Sequence, residues 1–265
     1  MPIYPATAQS YGGQVGYPWS PTKPWRSRIN GHATRTSMIL SIIIPVYNEE
    51  KTIPELLRRV FAASSPGWEK QVIVVNDGST DGTKEILQHL QTQYSFKLIT
   101  HEKNLGKGTA VRAGLTQTTG DDVLIQDADL EYNPADYTVL LSALTPEVGA
   151  VFGSRMHQGT KQGYLHYILG AKILNKAINI LYGSNITDAY TCYKLIRTPI
   201  LQKLDLESKG FEIEAEIICK LLINKVGIVE IPISYHPRSF AQGKKIRSKD
   251  GLIGLKTALK YFFHR

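Results

Sequence analysis

The run Ile39-Leu-Ser-Ile-Ile-Ile-Pro-Val-Tyr47 constrains the fold of this chain more than any other stretch, because it is apolar almost throughout. A strand with one wet face alternates apolar and polar residues, whereas a strand covered on both faces by helices reads as a continuous apolar run. Comparable runs recur at residues 71–76, 96–100, 123–126 and 149–153. Between them apolar residues recur at helical spacing, at about 52–63, 80–93 and 107–118 and from Pro134 onward. Strands alternating with helices require right-handed crossovers, so the expected architecture is α/β: a mostly parallel sheet flanked by helices. The second half predicts a long helix at 165–182, a strand at 192–196, an amphipathic helix at 211–224, a strand at 227–235 and a second amphipathic helix at 250–263. Residues 1–37 hold five of the thirteen prolines and show no period, as a disordered tail would. The expected division is therefore a tail at 1–37, one domain at 38–240, and a basic loop with an amphipathic helix at 241–265.

In such a sheet the loops after the first four strands share one edge, and that edge is a binding crevice. Those loops read Tyr47-Asn-Glu-Glu50, Asn76-Asp-Gly-Ser79, Glu102-Lys-Asn-Leu-Gly-Lys-Gly108 and Asp127-Ala-Asp129. Asp127, Asp129 and Glu131 occupy alternate positions, which in an extended segment face one side. Three carboxylates aimed at one point repel, and a hard divalent cation with open positions for phosphate, Mg²⁺ or Mn²⁺, relieves the repulsion. The alternative is a solvated acidic turn ahead of the helix at Pro134. Glu49 and Asp77 suit acceptance of hydrogen bonds from a base or ribose; the alternatives are a helix-entry charge for Glu49 and a turn cap for Asp77. Gly106-Lys-Gly108 could cradle a phosphate at a helix N-terminus. It lacks the P-loop pattern, and no Gly-x-Gly-x-x-Gly follows the first strand, which disfavours a dinucleotide oxidoreductase.

Charge narrows the partners. The net charge of +8 is concentrated at the ends: the first 48 residues carry no Asp or Glu, and from Arg238 onward eight Lys or Arg face one acid, Asp250. Such ends suit an anionic partner, a membrane surface or a phosphate-rich ligand, while no nucleic-acid motif is present. Cys192 and Cys219 have no paired spacing, which opposes a disulfide framework or zinc site and fits a reducing compartment. No run approaches the ~18–20 apolar residues of a membrane span, and no signal-peptide pattern is seen. On a helical wheel Leu252, Leu255, Leu259, Phe262 and Phe263 form a stripe flanked by Lys249, Lys256 and Lys260. That pattern suits a bilayer interface, or equally a helix packed on its own domain.

Four motifs, Ser41-Ile-Ile-Ile-Pro-Val-Tyr-Asn-Glu-Glu50, Val74-Val-Asn-Asp-Gly-Ser-Thr-Asp-Gly-Thr83, Asn104-Leu-Gly-Lys-Gly108 and Asp127-Ala-Asp129, appear in this order. Together they resemble the inverting family-2 glycosyltransferases of the GT-A fold, over roughly residues 39–240. Gly153-Ser-Arg155, Thr187-Asp-Ala-Tyr-Thr-Cys-Tyr-Lys194, Gly210-Phe-Glu-Ile-Glu214 and Tyr235-His-Pro-Arg238 bring the likeness closer to dolichyl- or polyprenyl-phosphate sugar transferases. The resemblance implies that Pro45, Tyr47, Glu49, Asp77 and Lys107 hold the nucleotide, together with Asp127. It implies that Asp127, Asp129 and Glu131 hold the metal, Glu131 standing where relatives often have Gln. Arg238 would reach the diphosphate, with Lys244 or Lys245 nearby, and Arg155 and Lys194 would face the acceptor phosphate. One departure affects the acceptor side. Relatives read Asp-x-x-Ser-Gly-Phe-Arg where this chain has Asp188-Ala-Tyr-Thr-Cys-Tyr-Lys194, so a planar bidentate phosphate contact is replaced by a point charge.

The expected reaction is therefore metal-dependent, inverting transfer of a sugar from a GDP- or UDP-sugar to a polyprenyl phosphate, by a peripheral protein at the cytoplasmic membrane face. A saccharide or protein acceptor is the alternative, and it would need a general base, for which Asp188 is the candidate. A non-catalytic membrane-associated binding protein of the same fold is the other alternative, opposed by the intact acidic trio and Arg238.

Overall fold

A computed structural model describes residues 37–156, 165–239, 243, 245 and 248–264. The expected tail falls outside the described residues except for Ser37, and so does Lys244. In chain order the elements are β1 Met38–Val46, α1 Ile53–Ala62, β2 Trp68–Asn76, α2 Thr83–Leu90, β3 Lys97–Thr100, α3 Lys107–Leu115, β4 Asp122–Ile125, α4 Tyr137–Ser142 and β5 Ala150–Ser154. Then follow α5 Leu165–Tyr182, β6 Lys194–Arg197, α6 Thr198–Lys203, α7 Ile213–Ile223, β7 Ile228–Pro232 and α8 Ser248–Phe263.

The seven strands form one sheet in the order β3-β2-β1-β4-β6-β5-β7. β1 pairs in parallel with β2 and β4, β2 with β3, and β5 with β7; β6 runs antiparallel between β4 and β5. The sheet is therefore mostly parallel, as the apolar runs require. Ile42, Ile43 and Ile44 of β1 are fully buried, as are Val74 of β2 and Ile125 of β4, and helices cover them on both faces. At ~25 cal/mol per Å² of apolar surface, each such side chain stabilises the fold by roughly 1.5–3 kcal/mol.

Three expectations are corrected. β2 begins at Trp68, three residues before the apolar run, because its polar start has other work: the Lys70 ammonium donates to the carbonyls of Val60, Phe61 and Ala63 at 2.9, 2.8 and 2.7 Å and caps the end of α1. α7 is not amphipathic. Every residue from Ile213 to Cys219 is buried, and its charged members Glu214 and Glu216 are held by cations. The stripe on α8 divides. Leu255, Phe262 and the fully buried Ala258 face the domain, where Phe262 meets Tyr182 edge-on and the Tyr182 hydroxyl donates to the Ala258 carbonyl at 2.7 Å. Leu252, Ile253, Leu259 and Phe263 remain exposed.

Candidate active site

The parallel order β3-β2-β1-β4 brings the four loops to one sheet edge. They are stitched together before any ligand is considered. Asn48, in a left-handed conformation with φ 49, accepts from Thr80 N at 2.8 Å, and Glu49 N donates to the Thr83 hydroxyl at 2.9 Å. Asp77 is buried with its oxygens occupied: they accept from Leu105 N at 3.0 Å and Gly106 N at 2.7 Å, and His101 Nδ1 lies 2.8 Å away. Asp77 thus shapes the third loop. Gly106 has φ 97, and a Cβ there would lie 2.4 Å from the Lys209 carbonyl oxygen; a Cβ on Gly108 would lie 2.4 Å from that of Ser208. The Gly-Lys-Gly turn, expected to be open for phosphate, is instead covered by the 208–210 backbone, and Thr109 N donates to the Lys209 carbonyl at 3.1 Å.

The centre of the edge is an alternation of acids and cations. Arg238 spans Glu49 with two hydrogen bonds of 3.0 and 2.8 Å and lies 3.3 Å from Asp129. Lys245 joins Glu49 at 2.6 Å. Burial alone would raise the Glu49 carboxyl, but the hydrogen bonds from Arg238 and Lys245 outweigh it and hold it below its ordinary value. Pro45 and Tyr47 flank this centre at the end of β1, both half-buried, with the Lys245 ammonium 5.6 Å from the Tyr47 ring centre.

The acidic trio does not converge. The segment after β4 is a turn rather than a strand, and Leu130 takes φ 61. The Glu131 carboxylate accepts from the Tyr235 hydroxyl at 2.5 Å and from Arg238 N at 2.9 Å. Among the described residues no three His, Cys, Asp or Glu side chains are placed to hold a metal ion. The three-ligand expectation thus reduces to Asp127 and Asp129, with Glu131 holding the Tyr235–Arg238 segment in place. The pair nonetheless fits a hard cation. Burial first, then the charges of Asp127 and Glu131, push the Asp129 carboxyl up to about 7. Arg238 therefore leaves negative charge there uncompensated, and Mg²⁺ is commonly held by one or two carboxylates plus phosphates.

Asp127 leads into the interior. Its partner is Lys107 at 2.7 Å, which also lies 2.9 Å from Glu214; the second Glu214 oxygen accepts from Lys194. Burial would raise Asp127, but Lys107 outweighs it and holds the carboxyl below its ordinary value. Lys194, expected at the acceptor, has no exposed surface, and its ammonium is closed in by Glu214 and the Thr191 carbonyl. This placement opposes a phosphate contact: the antiparallel course of β6 turns Lys194 toward α7. Glu214 was missed by sequence reasoning as a member of the site. Its one signal was its place in Gly210-Phe-Glu-Ile-Glu214.

Arg155, just after β5, forms the other flank. Its Nε and Nη2 each donate to the Asp188 carboxylate at 2.7 Å, and its backbone N does so at 2.9 Å. Asp188 is fully buried, and Glu230 accepts from the backbone N–H groups of Thr187 and Asp188 at 2.8 and 2.9 Å. The guanidinium lies 5.0 Å from the Tyr235 ring centre. Both oxygens of the Asp188 carboxylate are therefore taken up by Arg155, and the side chain is closed to solvent.

A mostly parallel, GT-A-like sheet with an Asp-x-Asp pair at the carboxyl end of β4 is the arrangement found in glycosyltransferases of this fold. The family model described as glycosyl transferase family 2 matches residues 41–205, more than half of the chain, and the chain belongs to that family. It is 31% identical over 231 residues to a dolichol-phosphate mannosyltransferase of Pyrococcus furiosus, covering 86% of this chain and 62% of that one. It is 28% identical over 208 residues to an undecaprenyl-phosphate 4-deoxy-4-formamido-L-arabinose transferase of Salmonella paratyphi A, covering 77% and 62%. The chain thus spans less than two thirds of the length of these curated relatives. Its fold is similar to that of glucosyl-3-phosphoglycerate synthase from Mycobacterium tuberculosis, solved with Mn²⁺, UDP and glucosyl-3-phosphoglycerate: TM-score 0.66, 18% identity, 85% of this chain and 80% of that one. Among the described residues no helix is long and apolar enough to cross a membrane.

Proposed function

We propose that the chain transfers a sugar from a GDP- or UDP-sugar to a polyprenyl phosphate, with inversion and with a divalent metal, as a peripheral protein at the cytoplasmic face of a membrane. The observation that carries this reading is the placement of two arginines about one segment. Arg238 lies beside Asp129, where a leaving diphosphate would sit. Arg155 lies against the ring of Tyr235, whose hydroxyl holds Glu131 next to Arg238. One cation serves the departing phosphates and the other an incoming phosphate. The two curated relatives are both named for sugar transfer involving a polyprenyl phosphate, and the Mn²⁺ and UDP of the mycobacterial synthase support a metal and a nucleotide diphosphate in this fold.

In this reading the crevice of Pro45, Tyr47, Glu49, Asp77, Lys107 and Asp127 receives the nucleotide, with Asp77 and Lys107 acting through the loops they hold. Asp127 and Asp129 would hold Mg²⁺ or Mn²⁺, which supplies positive charge to the departing diphosphate. Arg238 adds to that charge where it develops. An acceptor phosphate oxygen attacks the anomeric carbon from the face opposite the diphosphate; the new C–O bond forms as the old one breaks, and the nucleotide diphosphate leaves with the bonding electrons. No proton has to be removed, because a phosphate monoester, with its second pKa near ~6, is already anionic. Asp188 then orients Arg155, in keeping with its burial. The test is a panel of radiolabelled nucleotide sugars offered with polyprenyl phosphate, free polyprenol or a saccharide. Transfer to the phosphate alone supports the reading; transfer to the saccharide overturns it.

A further inference from the structure

Between Glu147 and Asp188 the chain contains no Asp or Glu, while Arg155, Lys161, Lys172 and Lys176 all fall in that interval. Lys172 and Lys176 lie one turn apart on α5, both exposed, and among the described residues neither has an acidic partner. They line a groove of about 480 Å³ between α5 and residues 184–187, with Ile180, Asn185 and Thr187 on its other sides. The groove has a built floor. The Asn179 amide accepts from Ile186 N at 2.9 Å and donates to the Ile186 carbonyl at 2.9 Å, and the Asn175 amide accepts from Ala189 N at 3.0 Å. Ile180 lines the groove and is 72% exposed, and Ile173, outside the groove on the same helix, is 56% exposed.

We propose that this groove binds the phosphate head group of a lipid, at a site separate from Arg155. Two unpaired ammonium groups beside hydroxyl and amide side chains match a phosphate. Exposed isoleucines on the same helix match the chain that a free phosphate lacks, since long cationic side chains keep their heads among lipid phosphates while apolar neighbours enter the acyl boundary. The floor residue Thr187 shares a 2.8 Å hydrogen bond with Ser154 and immediately precedes Asp188. A lipid held here is therefore held against the segment that carries the Arg155 partner. The proposal rests on the reading of the chain as acting on a membrane-borne acceptor, but it is tested without turnover. Bilayer phospholipid and polyprenyl phosphate present the same chemistry, and the test separates them.

The experiment compares the wild type with Lys172→Gln/Lys176→Gln in flotation with three kinds of vesicle: phosphatidylcholine, phosphatidylcholine with an equal part of phosphatidylglycerol, and phosphatidylcholine doped with polyprenyl phosphate. At low salt each lysine is expected to contribute about fivefold and the pair about thirtyfold to partitioning on the anionic vesicles, with the effect shrinking as salt rises. Thermal stabilisation by UDP or GDP should be the same in both proteins, which shows that the variant is folded. Loss on the phosphatidylglycerol vesicles identifies bilayer lipid as the source, and loss confined to the doped vesicles identifies polyprenyl phosphate. Equal binding by variant and wild type on every vesicle overturns the proposal. So does displacement of the wild type from vesicles by inorganic phosphate as complete as that produced by the double substitution, because the groove would then take free phosphate. If transfer to polyprenyl phosphate fails while the vesicle result holds, the proposed reaction is wrong and the groove assignment stands.

Discussion

Replacing Asp188 with Asn separates a positioning carboxylate from a catalytic base. In the folded protein Asp188 accepts three hydrogen bonds, two of 2.7 Å from the Arg155 side chain and one of 2.9 Å from its backbone N, and it has no exposed surface. Asn offers one acceptor oxygen and turns an N–H donor toward a guanidinium that is itself largely buried. At least one charge-assisted bond is lost, worth about 1.5–3 kcal/mol, and a buried ion pair is broken, which typically costs about 3–5 kcal/mol. The two figures describe one event, so the expected loss of stability is about 3 kcal/mol. For a domain of this size that is a fall of roughly 6–12 °C in Tm, read by thermal denaturation. In kinetics with polyprenyl phosphate, a mispositioned Arg155 should raise the acceptor KM roughly ten- to a hundredfold with a smaller change in kcat. Loss of a general base would instead lower kcat by about 10² to 10⁴ with the acceptor KM little changed. The second pattern, or a Tm within a degree of wild type, refutes the positioning argument.

Other substitutions probe the rest of the site. Asp129→Asn should abolish transfer without lowering Tm, because it removes a carboxylate that its neighbours repel; a large fall in Tm would contradict this. The same variant addresses pH. With Asp129 pushed up to about 7 in the fold and near ~4 when unfolded, the metal-free folded chain keeps a proton there that the unfolded chain has released. Stability owed to this group is thus present below about pH 4 and is lost as pH rises toward about 7. Denaturant midpoints should show that downward slope in the wild type and a shallower one in Asp129→Asn. Glu214→Gln should cost about 3–5 kcal/mol by leaving Lys107 and Lys194 short of a counter-charge, and urea unfolding that matches wild type would contradict the buried chain. Lys70→Met should cost about 1–3 kcal/mol by uncapping α1, seen as faster amide exchange at residues 60–63.

The sheet was legible from its apolar runs because a doubly covered strand has few other ways to be written, and β1 carries four fully buried isoleucine or leucine side chains in nine residues. The four loops followed from topology. What stayed hidden depends on partners distant in sequence. Lys70 reads as surface until the end of α1 is placed above it. Lys194 and Glu214 read as a surface cation and a helix acid until β6 and α7 close on each other. Glu131 was misplaced for a local reason: alternation along an extended segment fails once Leu130 turns into the left-handed region. Asp77 and the Gly106–Gly108 turn were recognised as important, but their work lies in shaping loops that only the fold brings together.

The central claim concerns which bond is made, so the most direct measurement is nuclear magnetic resonance of the lipid product formed from the donor that the screen selects. The account predicts the sugar linked through oxygen to the phosphorus of the polyprenyl phosphate, with anomeric configuration opposite to that of the donor, and no product once EDTA has removed the metal. A product with the donor's configuration, or a sugar carried on anything other than that phosphate, would contradict it.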